Sequence, residues 1–171
     1  MLTQTLSSQI VPIPSANPVI EGLATVLADS YALMAQSHLA HWNVEGSDFF
    51  QLHAAFQSQY EELFTAVDEI AERIRALGAY APGGLSTLAA SSEIEELGVE
   101  SLSAADLVKH LVTGHELLVR HTTVLRDAAE EVGDLETQDL VIARIQVHQK
   151  TLWELSYPIN TCAPLPAAVA P

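Results

Sequence analysis

Two carboxylates, Asp68 and Glu72, stand four residues apart, downstream of two imidazoles, His41 and His53, that are themselves twelve apart. On a helix that i, i+4 spacing puts both carboxylates on one face, at a cost of roughly a few tenths of a kcal/mol to an isolated helix. A cation held between them would offset the repulsion. The alternative is a solvated acidic face, with Glu61, Glu62 and Glu69 nearby and Glu69 spaced to pair with Arg73; for the carboxylates alone this is the simpler reading. Together with the two imidazoles they form a mixed nitrogen and oxygen donor set. Such a set suits ferrous iron, and also zinc, while the carboxylates favour a ferric product.

Register decides how these groups would meet. His53 precedes Asp68 by fifteen residues on one predicted helix, which turns it only about 60° away but displaces it by about 22 Å along the axis. One chain therefore cannot bring them to one ion. If two copies of that helix pack antiparallel about a two-fold axis, facing residues have numbers of constant sum. An axis near Glu61 or Glu62 then sets His53 of one subunit against Asp68 and Glu72 of the other. His41 ends the preceding segment, before Glu45-Gly46-Ser47, and a tight helical hairpin brings it beside His53. The alternative intrasubunit di-iron bundle uses Glu-x-x-His on two helices. That motif occurs nowhere in the chain, so an ordinary ferritin, bacterioferritin or rubrerythrin centre is disfavoured.

Four long helical segments supply the positioning. The first, about Val19 to Val44, carries Ile20, Leu23, Val26, Leu27, Ala32 and Met34 as an approximate stripe. The second starts at Ser47 or Asp48 and runs through Phe49, Leu52, Phe56, Leu63, Val67, Ile70 and Ile74 to Leu77-Gly78. Residues 79–102 mix Pro, Gly and Ser into a crossover with one short helix near Leu85 to Ala90. Ser103 with Asp106 opens the third, through Leu107, Leu111, Leu118 and Leu125 to Val132-Gly133. Asp134 caps the fourth, whose stripe reads Leu140, Ile142, Ile145, Leu152 and Leu155 before Pro158. Strand alternation is absent. Four long helices with one long crossover predict an all-α, ferritin-like four-helix bundle.

Composition sets the outer bounds. A chain of 171 residues, 49% hydrophobic, with a formal charge of -15, describes one acidic domain large enough for a proper core. The expected organisation is an N-terminal tail over residues 1–18, a bundle over 19–157, and a Pro-rich C-terminal tail over 158–171. Cys162 is alone and no Cys-x-x-Cys occurs, which removes disulfide scaffolds, thioredoxin-like sites and zinc ribbons and fits a reducing compartment. The N-terminus lacks the basic and apolar regions of a secretory signal, and no apolar run approaches the roughly 18 residues of a membrane span. Seven Lys and Arg residues, scattered between positions 73 and 150, form no basic patch, so binding to DNA is not expected.

His41-Trp42-Asn43-Val44-Glu45-Gly46, then Phe49, Phe50 and Leu52-His53, then Asp68-Glu69-Ile70-Ala71-Glu72-Arg73 resemble the Dps family, the mini-ferritins of starved bacterial cells. The similarity covers about residues 19–157. It implies a cytoplasmic, hollow homo-dodecamer of four-helix bundles with ferroxidase centres at its two-fold interfaces. Such a cage oxidises ferrous iron with hydrogen peroxide, or O2, and stores the ferric mineral, protecting the cell against oxidative stress. Some family members also compact DNA through Lys- and Arg-rich tails; both tails here lack any basic side chain.

Carried over by motif, His41 and His53 of one subunit and Asp68 and Glu72 of its partner are the implied iron ligands and ferroxidase residues. Trp42 resembles the family's tryptophan beside the centre, with packing as its simplest role. Gln57 departs from the pattern, standing one turn after His53 where the family places Asp or Glu. A neutral amide is a weak ligand, so one tight and one weak metal subsite are expected, with zinc able to occupy the tight one. Loss of activity in a zinc-binding cage is the alternative outcome. His38 is expected on the surface or behind the ligands. Asp134 and Asp139 match positions where the family lines its three-fold pores, and Asp134 is also a helix N-cap. The remaining histidines, His110, His115, His121 and His148, read as surface or packing residues; His110 and His121 share a face but lie about 16 Å apart along the axis.

Overall fold

Each helix begins and ends where local chemistry dictates. In the computed structural model, which describes residues 17–98 and 102–157, α1 spans Pro18–Asn43. The Asn17 side chain accepts the Val19 N–H at 3.0 Å, and Pro18, lacking an N–H, occupies the first turn without loss. Gly46, at φ 106°, turns the chain into α2, Phe49–Ala76. The short helix α3 is Leu85–Ser91. A reciprocal capping box, Ser103 with Asp106, opens α4, Ala104–Val132, and Gly133 in the left-handed conformation closes it. Asp134 caps α5, Leu135–Ser156, by accepting the Thr137 N–H at 3.0 Å. The predicted tails and Cys162 fall outside the described residues, apart from the Asn17–Pro18 end of the first.

Two helical hairpins, α1–α2 and α4–α5, pack through α1 and α4 into a four-helix bundle, with α3 against α1 in the long crossover. Fully buried Leu23, Leu33, Phe56, Leu63, Ile70 and Leu118 are among the side chains that fill its axis. Direct contact between α2 and α5 is sparse. The crossover is anchored by polar groups. Buried Asp29 of α1 accepts from Ser92 Oγ at 2.8 Å, the Glu93 N–H at 2.9 Å and His121 Nδ1 at 2.7 Å. Gln36 Oε1 takes the Leu97 N–H at 3.0 Å.

Three sequence expectations need correction. α1 is long and apolar enough, by length and composition, to cross a membrane, against the expectation that no segment is; half of its most apolar window is buried in the bundle, so the apolarity serves the core. Arg73 turns away from Glu69 and bonds Asp134 at 2.6 Å and Thr137 Oγ1 at 2.8 Å. On α5 the inward face runs through Thr137, Val141, Arg144, Ile145, His148, Thr151 and Leu155, leaving Ile142 of the predicted stripe exposed.

Candidate metal centre

The turn between α1 and α2 brings His41, in the last turn of α1, against His53, in the second turn of α2. Their rings stack with centroids 3.7 Å apart and planes 21° from parallel. His41 Nδ1–H donates to the His53 carbonyl at 2.8 Å, and His53 Nδ1–H donates to the His41 carbonyl at 2.9 Å. Since a carbonyl only accepts, each Nδ1 carries a proton, and in the neutral ring each Nε2 keeps its lone pair. Fixing one ring nitrogen on a backbone oxygen so that the other can ligate is the usual arrangement of metal-binding imidazoles.

Aromatic neighbours hold this pair in place. Phe49 stacks on His53 with centroids 4.9 Å apart, and Tyr60 meets His41 edge-on at 5.3 Å. His38 lies between Tyr60, at 4.1 Å, and Trp42, at 5.4 Å, so it sits behind the pair. Trp42 itself is 71% exposed despite its stacking on His38.

Asp68 and Glu72 lie farther along α2, both exposed, and neither makes a hydrogen bond or ion pair with another described residue. Asp68 opens onto a cleft of about 450 Å³ lined by Tyr31, Phe64 and the Pro82–Leu85 segment. Within one chain the histidines and the carboxylates stay apart, and the described residues contain no cluster of three or more ligating side chains. The single-chain geometry thus pairs the two histidines and leaves the two carboxylates apart from them, as the helix register requires. Gln57 is exposed, and its Nε2 donates to Glu61 Oε1 at 2.7 Å. Asp139 is exposed, whereas the Asp134 carboxylate is engaged by Thr137 and Arg73. Burial raises the Asp134 pKa, but the Thr137 hydroxyl and N–H and the Arg73 guanidinium outweigh it and hold the group below its ordinary value.

A second polar cluster escaped the sequence reading. His115 of α4 and His148 of α5 are both buried in mid-bundle, with their Nδ1 atoms 2.9 Å apart. Only spacing on the inward face of α5 carried any signal of it, since Val141, Arg144, His148, Thr151 and Leu155 recur every three or four residues.

Comparison with known proteins agrees with this fold. The family model for a ferritin-like domain matches residues 20–163. A DNA protection during starvation protein of Porphyromonas gingivalis is 32% identical over 81% of this chain and 87% of its own. A low temperature-induced protein of Nostoc is 35% identical over 80% of this chain and 77% of its own. The solved Dps structure from Vibrio cholerae, described as a member of the ferritin-like diiron-carboxylate superfamily, superposes with a TM-score of 0.77. It is 30% identical and covers 81% of this chain and 86% of that one. The chain belongs to the Dps family of the ferritin-like superfamily.

Proposed function

We propose that this chain is an iron-storing mini-ferritin that oxidises Fe2+ at centres shared between two subunits and mineralises the Fe3+ product inside a homo-dodecameric cage, protecting the cell from oxidative stress. The observation that carries this reading is the reciprocal His41–His53 pair, which ties up both Nδ1 atoms and leaves both Nε2 atoms available as ligands at one end of the helix that carries the unpaired Asp68 and Glu72. Antiparallel pairing of two α2 helices, with the axis near Glu61 or Glu62, would complete two centres at once. Trp42, Phe50 and Phe64 are 71%, 82% and 69% exposed in the single chain and would gain cover in that pairing.

The chemistry follows from the donors. His41 and His53 supply neutral nitrogen ligands, and Asp68 and Glu72 of the partner supply two negative charges that stabilise Fe3+ over Fe2+. Two ferrous ions each give one electron to hydrogen peroxide, which takes up two protons and leaves as two waters, so no hydroxyl radical is released. O2 is the alternative oxidant. A net charge of -15 per chain favours the approach of Fe2+ to the assembly.

The decisive experiment is anaerobic Fe2+ titration of metal-free protein, followed by peroxide or, separately, oxygen. Rapid oxidation near two irons per peroxide, abolished in His53→Ala, is the expected result. Gln57 favours a second reading, a cage that binds Fe2+ or Zn2+ without accelerating oxidation, because the amide brings no charge and is engaged with Glu61. Stoichiometric binding with no faster oxidation than free Fe2+ would establish that second reading and refute the first.

A further inference from the structure

At mid-bundle an unbroken chain of polar groups links three helices. Arg144 of α5 forks onto the Glu62 carboxylate of α2, with Nη1 on Oε1 and Nη2 2.9 Å from Oε2. The same Nη2 lies 3.4 Å from His148 Nε2. His148 Nδ1 faces His115 Nδ1 at 2.9 Å, and His115 Nε2 faces Gln59 Oε1 at 3.3 Å. His148 is 0% and His115 2% exposed.

The direction of every proton in this chain follows from its two ends. Arg144 only donates, so His148 Nε2 accepts, and neutral His148 therefore carries its proton on Nδ1. That proton is donated to His115 Nδ1, which places the His115 proton on Nε2, directed at the Gln59 carbonyl oxygen. Each ring nitrogen is thus already a donor or an acceptor. An added proton could only go to His148 Nε2 or His115 Nδ1. The first would set N–H against the Arg144 N–H, and the second would set N–H against the His148 N–H, and either imidazolium would be buried.

We infer that the Glu62–Arg144–His148–His115–Gln59 chain is an acid-labile latch that holds α2 on the α4–α5 hairpin. Because α2 and α5 touch little directly, the two ends of this chain, Glu62 and Gln59, hold the middle of the helix that carries His53, Asp68 and Glu72. The charged groups around the pair are Glu62 from α2 and Arg144 from α5. Lys150 and Glu154, also from α5, line the adjoining cleft of about 550 Å³ with Glu62 and His115. The buried acid of α1, Asp29, is already committed to His121, Ser92 and the Glu93 N–H. Among the described residues the only carboxylate bonded to this polar chain is Glu62, and the guanidinium already occupies it.

Titration runs in the same sense. Burial, and then Arg144, lower the His115 pKa to about 3; burial, His115 and Arg144 hold His148 well below 6.5. Each group binds its proton more readily in the unfolded chain, so stability is full above about pH 6.5 and falls as pH drops below it. Each retained proton difference changes the folded-to-unfolded ratio tenfold per pH unit, up to a hundredfold for both.

The test is denaturant unfolding of the full chain between pH 4.5 and 8, with His148→Gln and His115→Gln beside wild type, and amide exchange read as protection factors. In wild type the ratio is expected to fall by more than tenfold per pH unit below pH 6.5, with residues 59–66 of α2 losing protection ahead of α1. Each Gln variant should lose about one proton of that dependence. Nitrogen NMR of wild type at pH 7 and 5 gives a second measurement that needs no variant. The expected spectrum has both rings neutral at both pH values, His148 protonated on Nδ1 and His115 on Nε2. Imidazoles that titrate near 6.5 in the folded protein, or Gln variants with the wild-type slope, would overturn the latch.

Discussion

Gln57 stands one turn beyond His53, where the proposed centre would take a further ligand, and its amide N–H is engaged by Glu61 at 2.7 Å. A planar amide with its nitrogen so held turns its oxygen the other way, which leaves a neutral oxygen as the one donor this side chain can offer a metal. Gln57→Asp exchanges that oxygen for a charged carboxylate while placing it at i, i+4 from Glu61, a repulsion of roughly a few tenths of a kcal/mol in a solvated helix. The gain at the metal is the larger effect. Expected is about tenfold tighter binding of the second metal ion, equivalent to about 1.4 kcal/mol, with little change at the first. Calorimetric titration with Co2+ or Zn2+ checks this without relying on oxidation. Unchanged second-ion affinity in Gln57→Asp would mean that position 57 does not face the metal. His53→Ala removes a proposed ligand and the ring against which His41 stacks, and the tight ion should go with it.

The junction between α4 and α5 shows how one side chain can serve two elements. Asp134 caps α5 through Thr137 and receives Arg73 from the last turn of α2. Asp134→Ala is expected to cost about 1–2 kcal/mol through the lost cap. Asp134→Asn keeps the cap and discards the ion pair, so it should cost less than Ala, and denaturant midpoints of the two variants separate the two contributions. Equal losses would mean the pair with Arg73 carries the whole effect. The helices themselves were readable from the sequence wherever punctuation and apolar spacing coincide. The Ser103–Asp106 box, Gly133 and the Leu107–Leu125 stripe delimit α4 as expected. The face of α5 was not readable in this way, because Arg144, His148 and Thr151 are buried and apolar periodicity does not register polar residues satisfied by partners across the bundle, as Arg144 and His148 are, or by their own helix, as Thr151 is. The meeting of His41 with His53 was legible from the break at Glu45-Gly46-Ser47. The reciprocal bonds between His41 and His53 were not, since they depend on the hairpin's closure rather than on spacing along one helix.

For the whole molecule, charge decides which large partners are available. A dodecamer would carry a formal charge of about -180, and DNA presents one negative charge per roughly 1.7 Å of helix. Of the seven Lys and Arg residues, Arg73, Arg126, Arg144 and Lys150 are paired with acids, and Arg75 lies over the Tyr80 ring while donating to the Ala79 carbonyl. That leaves Arg75, Lys109 and Arg120 as cations without an ion pair among the described residues, the last two on α4. Residues 1–16 and 158–171 contain neither Lys nor Arg. Three unpaired cations per chain amid 22 acids release too few counterions from DNA to overcome the repulsion. A gel shift with linear duplex DNA at low salt and with chelator present is therefore expected to show free DNA at micromolar protein, where an electrostatic binder would be at its tightest. Adding Mg2+ separates the mechanisms. Retardation only with the divalent ion would mean bridging between two negative surfaces, consistent with this charge distribution. Retardation with chelator present, weakening linearly as log salt rises, would mean that assembly gathers Lys109 and Arg120 into a cationic surface, and the prediction would be wrong.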